Sequence, residues 1–414
     1  MRDYLLLAGP FFLLLIAVEL WLCRRHRRRD YRLNDAISNV STSLLMQLAM
    51  IVGRGVIVAA YVGVYERFRV TNFSADQAAT WIACFLGVDI AYYWFHRLSH
   101  EVNFLWAAHV VHHQSEDYNL SVALRQSTLQ PFFSAIFYWP LALLGFPPVV
   151  FFGCAAFNTI YQFWLHTQLI GSLGPLETIL VTPSHHRVHH GRNPIYIDRN
   201  HGGTLILWDR LFGTFERETE SVAYGITKPL ASWNPIWANS HYWIELFQTA
   251  SLTRAPLDRL RTFLKPPGWF PPDLGGFQPP PQIGKDPSKF DRPYPAKLAR
   301  YALLQFVVLA VATIALSLWV DDSFSPVKLV GMGLIAWGLV DLGALFEGQA
   351  WGFRSEMARV VSTPLATLAL LSGSMAWGLT LGLGLGVPLC LLWCPRNGST
   401  PNGQDRQSIP AARR

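Results

Sequence analysis

Eleven of the thirteen histidines lie between positions 96 and 201, and they come in pairs and triplets. The groups are His96-x-x-x-His100, His109-x-x-His112-His113, the single His166, His185-His186-x-x-His189-His190, and His201. Neutral imidazole is the commonest metal ligand among side chains and suits iron, zinc and copper. One divalent ion rarely takes more than about four protein ligands. So many histidines in so short a stretch therefore point to two metal ions sharing one site.

The spacings say how the rings are presented. His96 and His100 are four apart and lie on one face of a helix. His109, His112 and His113 are separated by three and four and point one way, and His186, His189 and His190 repeat that pattern. The repeat makes His186 the expected ligand of the doublet, with His185 beside the metal or behind it. Asp89, Tyr93, His96 and His100 step by four, three and four along one stripe, so Asp89 is expected to hold the unbound ring nitrogen of His96. Asn158, Gln162 and His166 step by four on an otherwise apolar helix. Such a polar stripe is costly inside a membrane, and it is expected to form one wall of the metal cavity. His201, between Asn200 and Gly202-Gly203, is either a turn residue or a further ligand. Glu101 is either a solvated charge at a helix end or a carboxylate near the metal or a cofactor amine. The polar run Ser115-Glu116-Asp117-Tyr118-Asn119-Leu120-Ser121, with Arg125, is placed to grip a lipid headgroup or cofactor. Equally, it fits a helix N-terminus capped by Asp117 or Ser121. His26 and His241 read as ordinary surface or interface residues.

The elements that must position these groups are membrane helices. Of 414 residues, 51% are hydrophobic and 15% charged, where a soluble chain carries about 25% charged residues. The expected fold is all-α and multi-pass, with a histidine-rich di-metal site facing the cytoplasm and a C-terminal helical membrane module. An anchor from Tyr4 to Cys23 precedes the basic run Arg24-Arg25-His26-Arg27-Arg28-Arg29. That order is wrong for a cleaved signal peptide and marks a cytoplasmic end. Apolar segments follow at about 40–65, interrupted by Gly53-Arg54-Gly55, and at about 79–95. A proline-broken hairpin is expected at about 129–165, bringing His166 back to the side of the other histidines. Spans are expected near 299–320, 327–345, 360–371 and 377–393. The loop at Asp321-Asp322 lacks Lys and Arg while the next carries Arg354 and Arg359, which agrees with a cytoplasmic start at Lys297. The expected units are an anchor and basic run (1–34), a catalytic domain (35–220), a cytoplasmic Pro-rich linker (221–296), the C-terminal module (297–394) and a disordered tail (395–414). The membrane is the inner or plasma membrane of a bacterium or the endoplasmic reticulum of a eukaryote. The net charge of +7 sits beside apolar spans, where lipid headgroups account for it, so no nucleic-acid partner is expected. The five cysteines form no close Cys-x-x-Cys pair, which leaves any metal to the histidines.

A zincin needs His-Glu-x-x-His, and here His100-Glu101 is followed by Val-Asn-Phe. Hydrolytic zinc needs three ligands and an open position, and bis-histidine haem needs two. The remaining reading is a non-haem di-iron oxygenase acting on a lipid C–H bond with O2, although imidazole accepts iron and zinc alike. Two rivals stay open. One is a sterol, carotenoid or fatty-acyl hydroxylase or desaturase fed by a reductase partner. The other is a membrane metal-binding protein without catalysis, against which these ligands gather on one face rather than along a path.

The His-x-x-x-His, His-x-x-His-His and His-x-x-His-His series resembles the fatty acid hydroxylase and sterol desaturase superfamily. Asp89-Ile-Ala-Tyr-Tyr-Trp-Phe-His96-Arg, Glu116-Asp-Tyr-Asn-Leu-Ser, Ala123-Leu-Arg-Gln-Ser, Thr182-Pro-Ser-His-His-Arg-Val-His-His-Gly-Arg-Asn193 and Leu207-Trp-Asp-Arg-Leu-Phe-Gly-Thr-Phe215 are most similar to its alkylglycerol monooxygenase branch. The resemblance covers about 35–220 and is looser beyond. It implies a di-iron site and tetrahydrobiopterin as electron donor. It also implies hydroxylation beside an ether oxygen, giving a hemiacetal that collapses to aldehyde and glycerol. The implied ligands are His96, His100, His109, His112, His113, His186, His189 and His190, with His166 in addition, and Glu101 matches a carboxylate facing the pterin. Where the superfamily often has a histidine four residues before His166, this chain has Gln162, which could ligate by its amide oxygen, through water, or not at all.

Overall fold

A computed structural model describes residues 4–281, 288–319 and 325–370. The span expected at 377–393, the tail beyond it and the loop at Asp321-Asp322 lie outside the described residues. Within them the chain is helical, with only two isolated β-bridges, Leu180 to Leu205 and Gly191 to Tyr224.

Helix α1 (Tyr4–Arg25) carries the first apolar run. Helix α2 (Leu33–Phe68) follows as one helix of 36 residues, about 54 Å at 1.5 Å per residue. Gly53-Arg54-Gly55 therefore does not interrupt it. A Cβ on Gly53 would strike the Phe132 ring, so the glycine serves close packing of α2 against the following hairpin. Helix α3 (Ala78–Glu101) leads into α4 (Asn103–His113) after the single residue Val102. A four-residue turn, α5 (Leu120–Ala123), precedes the hairpin of α6 (Gln130–Phe137), α7 (Trp139–Leu144) and α8 (Pro148–Phe163). Short helices α9 (Pro183–His189) and α10 (Leu207–Phe212) complete the histidine-bearing half.

The stretch expected as a linker holds α11 (Pro235–Leu252) and α12 (Pro256–Leu264), both packed on α4. Helices α13 (Ala296–Leu318), α14 (Pro326–Phe346) and α15 (Gly352–Leu370) form the C-terminal bundle. Helices α2, α3, α13 and α14 are each long and apolar enough to cross a bilayer, which takes about 20 apolar residues, and the protein is a membrane protein.

Two cores hold α2 along its length. Its first half places Ile37, Leu44 and Leu48 against Ala302, Leu309, Leu339 and Leu342 of the C-terminal bundle. Its second half places Tyr61 and Tyr65 against Cys84 and Val88 of α3 and against Leu141 and Phe151 of the hairpin. Apolar contact thus ties both bundles to one helix, and polar side chains near its start, Ser38 and Asn39, accept from Arg125.

Candidate metal centre

Helices α3, α4 and α9, with the turn that follows α8, bring nine histidines into two adjoining groups. His96, His100, His109, His113 and His189 make the first; His112, His166, His186 and His190 make the second. In each, one ring nitrogen per residue lies within 4.8 Å of all the others, and every member is buried. The spacing of three and four does not send a triplet to one centre. His112 parts from His109 and His113, and His189 parts from His186 and His190. Two residues next to each other on a helix differ by about 100°, so a triplet wedged between two groups serves both.

Backbone and amide oxygens set which nitrogen carries the proton. His96 Nδ1 donates to the His201 carbonyl at 2.8 Å, and His109 Nδ1 to Gln130 Oε1 at 2.8 Å. His112 Nδ1 donates to the Arg125 carbonyl at 2.9 Å, His166 Nδ1 to the Gln162 carbonyl at 3.0 Å, and His189 Nδ1 to the Arg199 carbonyl at 3.0 Å. Carbonyl oxygens only accept, so the protons sit on Nδ1 and the Nε2 lone pairs are bare. Yet Nε2 of His96 and His109 are 3.1 Å apart, and those of His112 and His166 are 3.2 Å apart. Two lone pairs at that distance repel unless a cation lies between them. Nε2 of His100, His189 and His190 is also buried with no hydrogen-bond partner among the described residues. Each such group would cost about 1–3 kcal/mol if nothing satisfied it. The donor set is all imidazole, and it fits two divalent transition metals. Burial holds these rings neutral, as ligands must be: it pushes the imidazole pKa of His109 down to about 3 and that of His112 to about 4, and lowers those of His113, His166, His186, His189 and His190.

One loop supports the first group. Residues 198–203 present the Arg199 carbonyl to His189, the His201 carbonyl to His96, and the Asp198 carboxylate 3.6 Å from His100 Nδ1. Asp198 and Asn200 both hold positive φ, +56° and +55°. The Asp209 carboxylate secures this turn, accepting from the backbone N–H of His201 at 2.7 Å and of Gly202 at 2.8 Å, and from the Thr214 hydroxyl at 2.6 Å. A Cβ on Gly202 would lie 2.9 Å from Asp209 Oδ2, so glycine is needed for that approach. The His201 ring is fully buried beside His100, with centroids 5.1 Å apart, and lies outside the five-residue group. The His201 carbonyl accepts from His96, and both of its ring nitrogens are buried with no hydrogen-bond partner among the described residues. The His185 ring packs on Phe215 and is in neither group.

Several residues singled out in the sequence sit elsewhere than expected. Asp89 does not touch His96. It accepts from Asn158 Nδ2, the N–H groups of Thr204 and Leu205, and Trp208 Nε1. Its register on the stripe is right for α3, but the His201 carbonyl reaches His96 first. Asn158 is bound to Asp89 and Thr204, and Gln162 donates its amide to Asn158. The polar stripe of α8 therefore braces the loop, and only His166 enters a metal group. Arg125 is buried and donates to Val111 O, Ser38, Asn39 and Gln114. The cap of α5 is Asn119, accepting from Ser121 N, while Asp117 pairs with Arg32 and Lys289. Tyr118 stacks on Tyr224 and lies 5.2 Å from the His190 ring, as a wall of the second group. Glu116 accepts from the Phe290 N–H. Tyr93 bonds Thr214 and receives Arg97, which also pairs with Glu101 at 2.8 Å. The Glu101 side chain remains about a third exposed (37%) at the rim of the first group.

Gln130, Asp198 and Asp209 were not read from the sequence as part of the site. Asp209 lies in the Trp208-Asp209-Arg210 segment, and Gln130 opens an apolar helix. The carbonyls of Arg125, Gln162, Arg199 and His201 have no side-chain signal at all.

The fatty acid hydroxylase family matches residues 81–214, which hold all nine grouped histidines. The chain is 44% identical to the alkylglycerol monooxygenase of Homo sapiens, over 74% of this chain and 69% of that one. It is 41% identical to that of Xenopus tropicalis, over 83% and 78%, and 42% identical to that of Danio rerio, over 87% and 81%. No solved structure matches.

Proposed function

Because the chain belongs to the fatty acid hydroxylase family, in its alkylglycerol monooxygenase branch, we propose that this membrane lipid monooxygenase acts on alkylglycerol-type ether lipids with two iron ions, O2 and a tetrahydropterin. The observation that carries the reading is the pair of buried histidine groups whose bare Nε2 atoms face one another. His96, His100, His109, His113 and His189 would hold one ion and His112, His166, His186 and His190 the other. Bound there, iron supplies O2 reduction and removal of hydrogen from an unactivated C–H bond.

The chain's own groups do the rest. The carbonyls of Arg125, Gln162, Arg199 and His201 keep the protons on Nδ1, and the packed helices keep bulk water from the donor atoms. Glu101, held by Arg97 at the rim, is placed to accept from a pterin amine. The carbon beside the ether oxygen exchanges C–H for C–OH. One oxygen atom of O2 enters that bond and the other leaves as water, with two electrons from the pterin and two protons. The resulting hemiacetal breaks its C–O bond, and its hydroxyl proton passes to the departing glycerol oxygen, leaving an aldehyde. We assign this chemistry to residues 35–220, on the cytoplasmic side of the membrane, with a second membrane module at 297–394 whose α13 and α14 pack on α2.

The test is elemental analysis of protein extracted gently in detergent, then oxygen uptake with an alkylglycerol and tetrahydropterin. About two iron ions per chain and pterin-dependent aldehyde release are expected. Well-folded protein without metal overturns the metal assignment. Uptake that requires a sterol or fatty acyl substrate and a reductase overturns the ether-lipid assignment.

A further inference from the structure

We propose that α12, together with the outer face of α11, lies in the headgroup layer of the membrane and binds anionic lipid. The polarity of α12 is inverted relative to a helix packed in water, which buries its apolar stripe and exposes its charges. Here the protein-facing residues are Asp258 and Thr262, 8% and 1% exposed, while Leu257, Leu260 and Leu264 are 57%, 57% and 58% exposed. The three leucines recur at steps of three and four and form one stripe. On α11, Phe247 packs on Phe263 with ring centroids 5.2 Å apart and is itself 62% exposed, and Leu252 is 68% exposed. The two helices thus offer a continuous apolar surface with no protein on it among the described residues.

The level of that surface is set by hydrogen bonds. The spanning helix α3 ends at Glu101. Two residues on, the Asn103 N–H donates to the Lys265 carbonyl at 3.0 Å, and its side-chain amide to the Thr262 carbonyl at 2.9 Å. The last turn of α12 therefore sits where α3 leaves the bilayer. Charge chooses the lipid. Exposed Arg254, Arg259, Arg261 and Lys265 stand against Asp258 alone, four cations to one anion, or +3 over the twelve residues 254–265. A leucine stripe edged by arginines is the pattern of an in-plane interfacial helix, and the cations suit phosphate-bearing anionic headgroups. The same contact reaches the metal centre: Asn103, which also accepts from the Tyr242 hydroxyl at 2.6 Å, opens the helix that carries His109, His112 and His113.

The experiment uses the full chain in lipid nanodiscs, with Cys390 and Cys394 changed to serine and Leu260→Cys carrying an environment-sensitive fluorophore. Val307→Cys on α13 is the comparison. Brominated lipids quench from either a shallow or a deep acyl position. The label at 260 is expected to lose more fluorescence to shallow bromines, and the label at 307 more to deep ones. Adding anionic lipid is expected to increase quenching at 260, and R259E with K265E to remove that increase. A label at 260 that neither lipid quenches, while 307 behaves as expected, places α12 in water and overturns the proposal. Shielding of 260 that appears only with chemical crosslinking to a second copy or to another protein overturns it as well.

Discussion

His112 and His113 are consecutive, yet they belong to different metal groups, with ring centroids 5.4 Å apart and planes 87° apart. One helix, α4, thereby enters both groups, and the distance between them is set by a single peptide unit. His189, the last residue of α9, and His190, its C-cap, stand in the same relation, 88° apart. The two groups are built as one rigid unit.

On the proposed two-ion reading, His112→Ala and His113→Ala each remove a ligand from a different group. Each variant is expected to stay folded and to drop from about two metal ions per chain toward one, with turnover lost in both. Elemental analysis beside circular dichroism reads this. Full metal content in either variant would contradict the partition.

Asp209→Asn leaves the histidines in place and weakens the turn that orients His96, His100 and His189. Support of this kind is worth about 10–100-fold in metal affinity. Timed removal by a chelator is expected to show one ion leaving faster and the other unchanged. Equal acceleration of both would show that the loop serves the whole centre.

Asp89→Ala strands the N–H groups of Thr204 and Leu205, Trp208 Nε1 and the Asn158 amide. At about 1–3 kcal/mol for each unsatisfied buried donor, the protein is expected to lose several kcal/mol. The reading is midpoint denaturant concentration in detergent. A change below about 1 kcal/mol would mean that water replaces the carboxylate.

Acid is expected to destabilise the metal-free protein well above the carboxylate range. Burial lowers the folded-state pKa of His109 and His201 to about 3 and of His112 and His185 to about 4, against about 6.5 unfolded. The unfolded chain then binds more protons as pH falls below 6.5, so stability is fully present above that value and declines toward pH 4. Melting temperatures of chelator-treated protein from pH 8 to 4 test the sign. A melting temperature that holds steady from pH 7 to 5 would mean that the folded rings take up protons as readily as the unfolded ones, and that burial does not lower their pKa.

The histidine types, their grouping and the helices that carry them were legible in the sequence because those signals are local. A step of three or four puts His96 beside His100, and a long apolar run makes α3 cross a membrane, wherever the rest of the chain goes. The proline-broken run at 129–165 likewise turned back to bring His166 to the others. What the tertiary structure alone decided depends on approach from a distance. It split His109 and His113 from His112, because the groups form between α4 and α9 rather than along either. It gave His96 a backbone carbonyl instead of Asp89, since residue 201 folds over it and every residue type has that carbonyl. It committed Arg125 to four internal acceptors, where the sequence left it open to a headgroup. It also docked α11 and α12 on α4: that stretch carries local amphipathic pieces in its sequence, but what they pack against depends on approach from a distance, and Pro235 and Pro256 stand at first turns, where proline starts a helix.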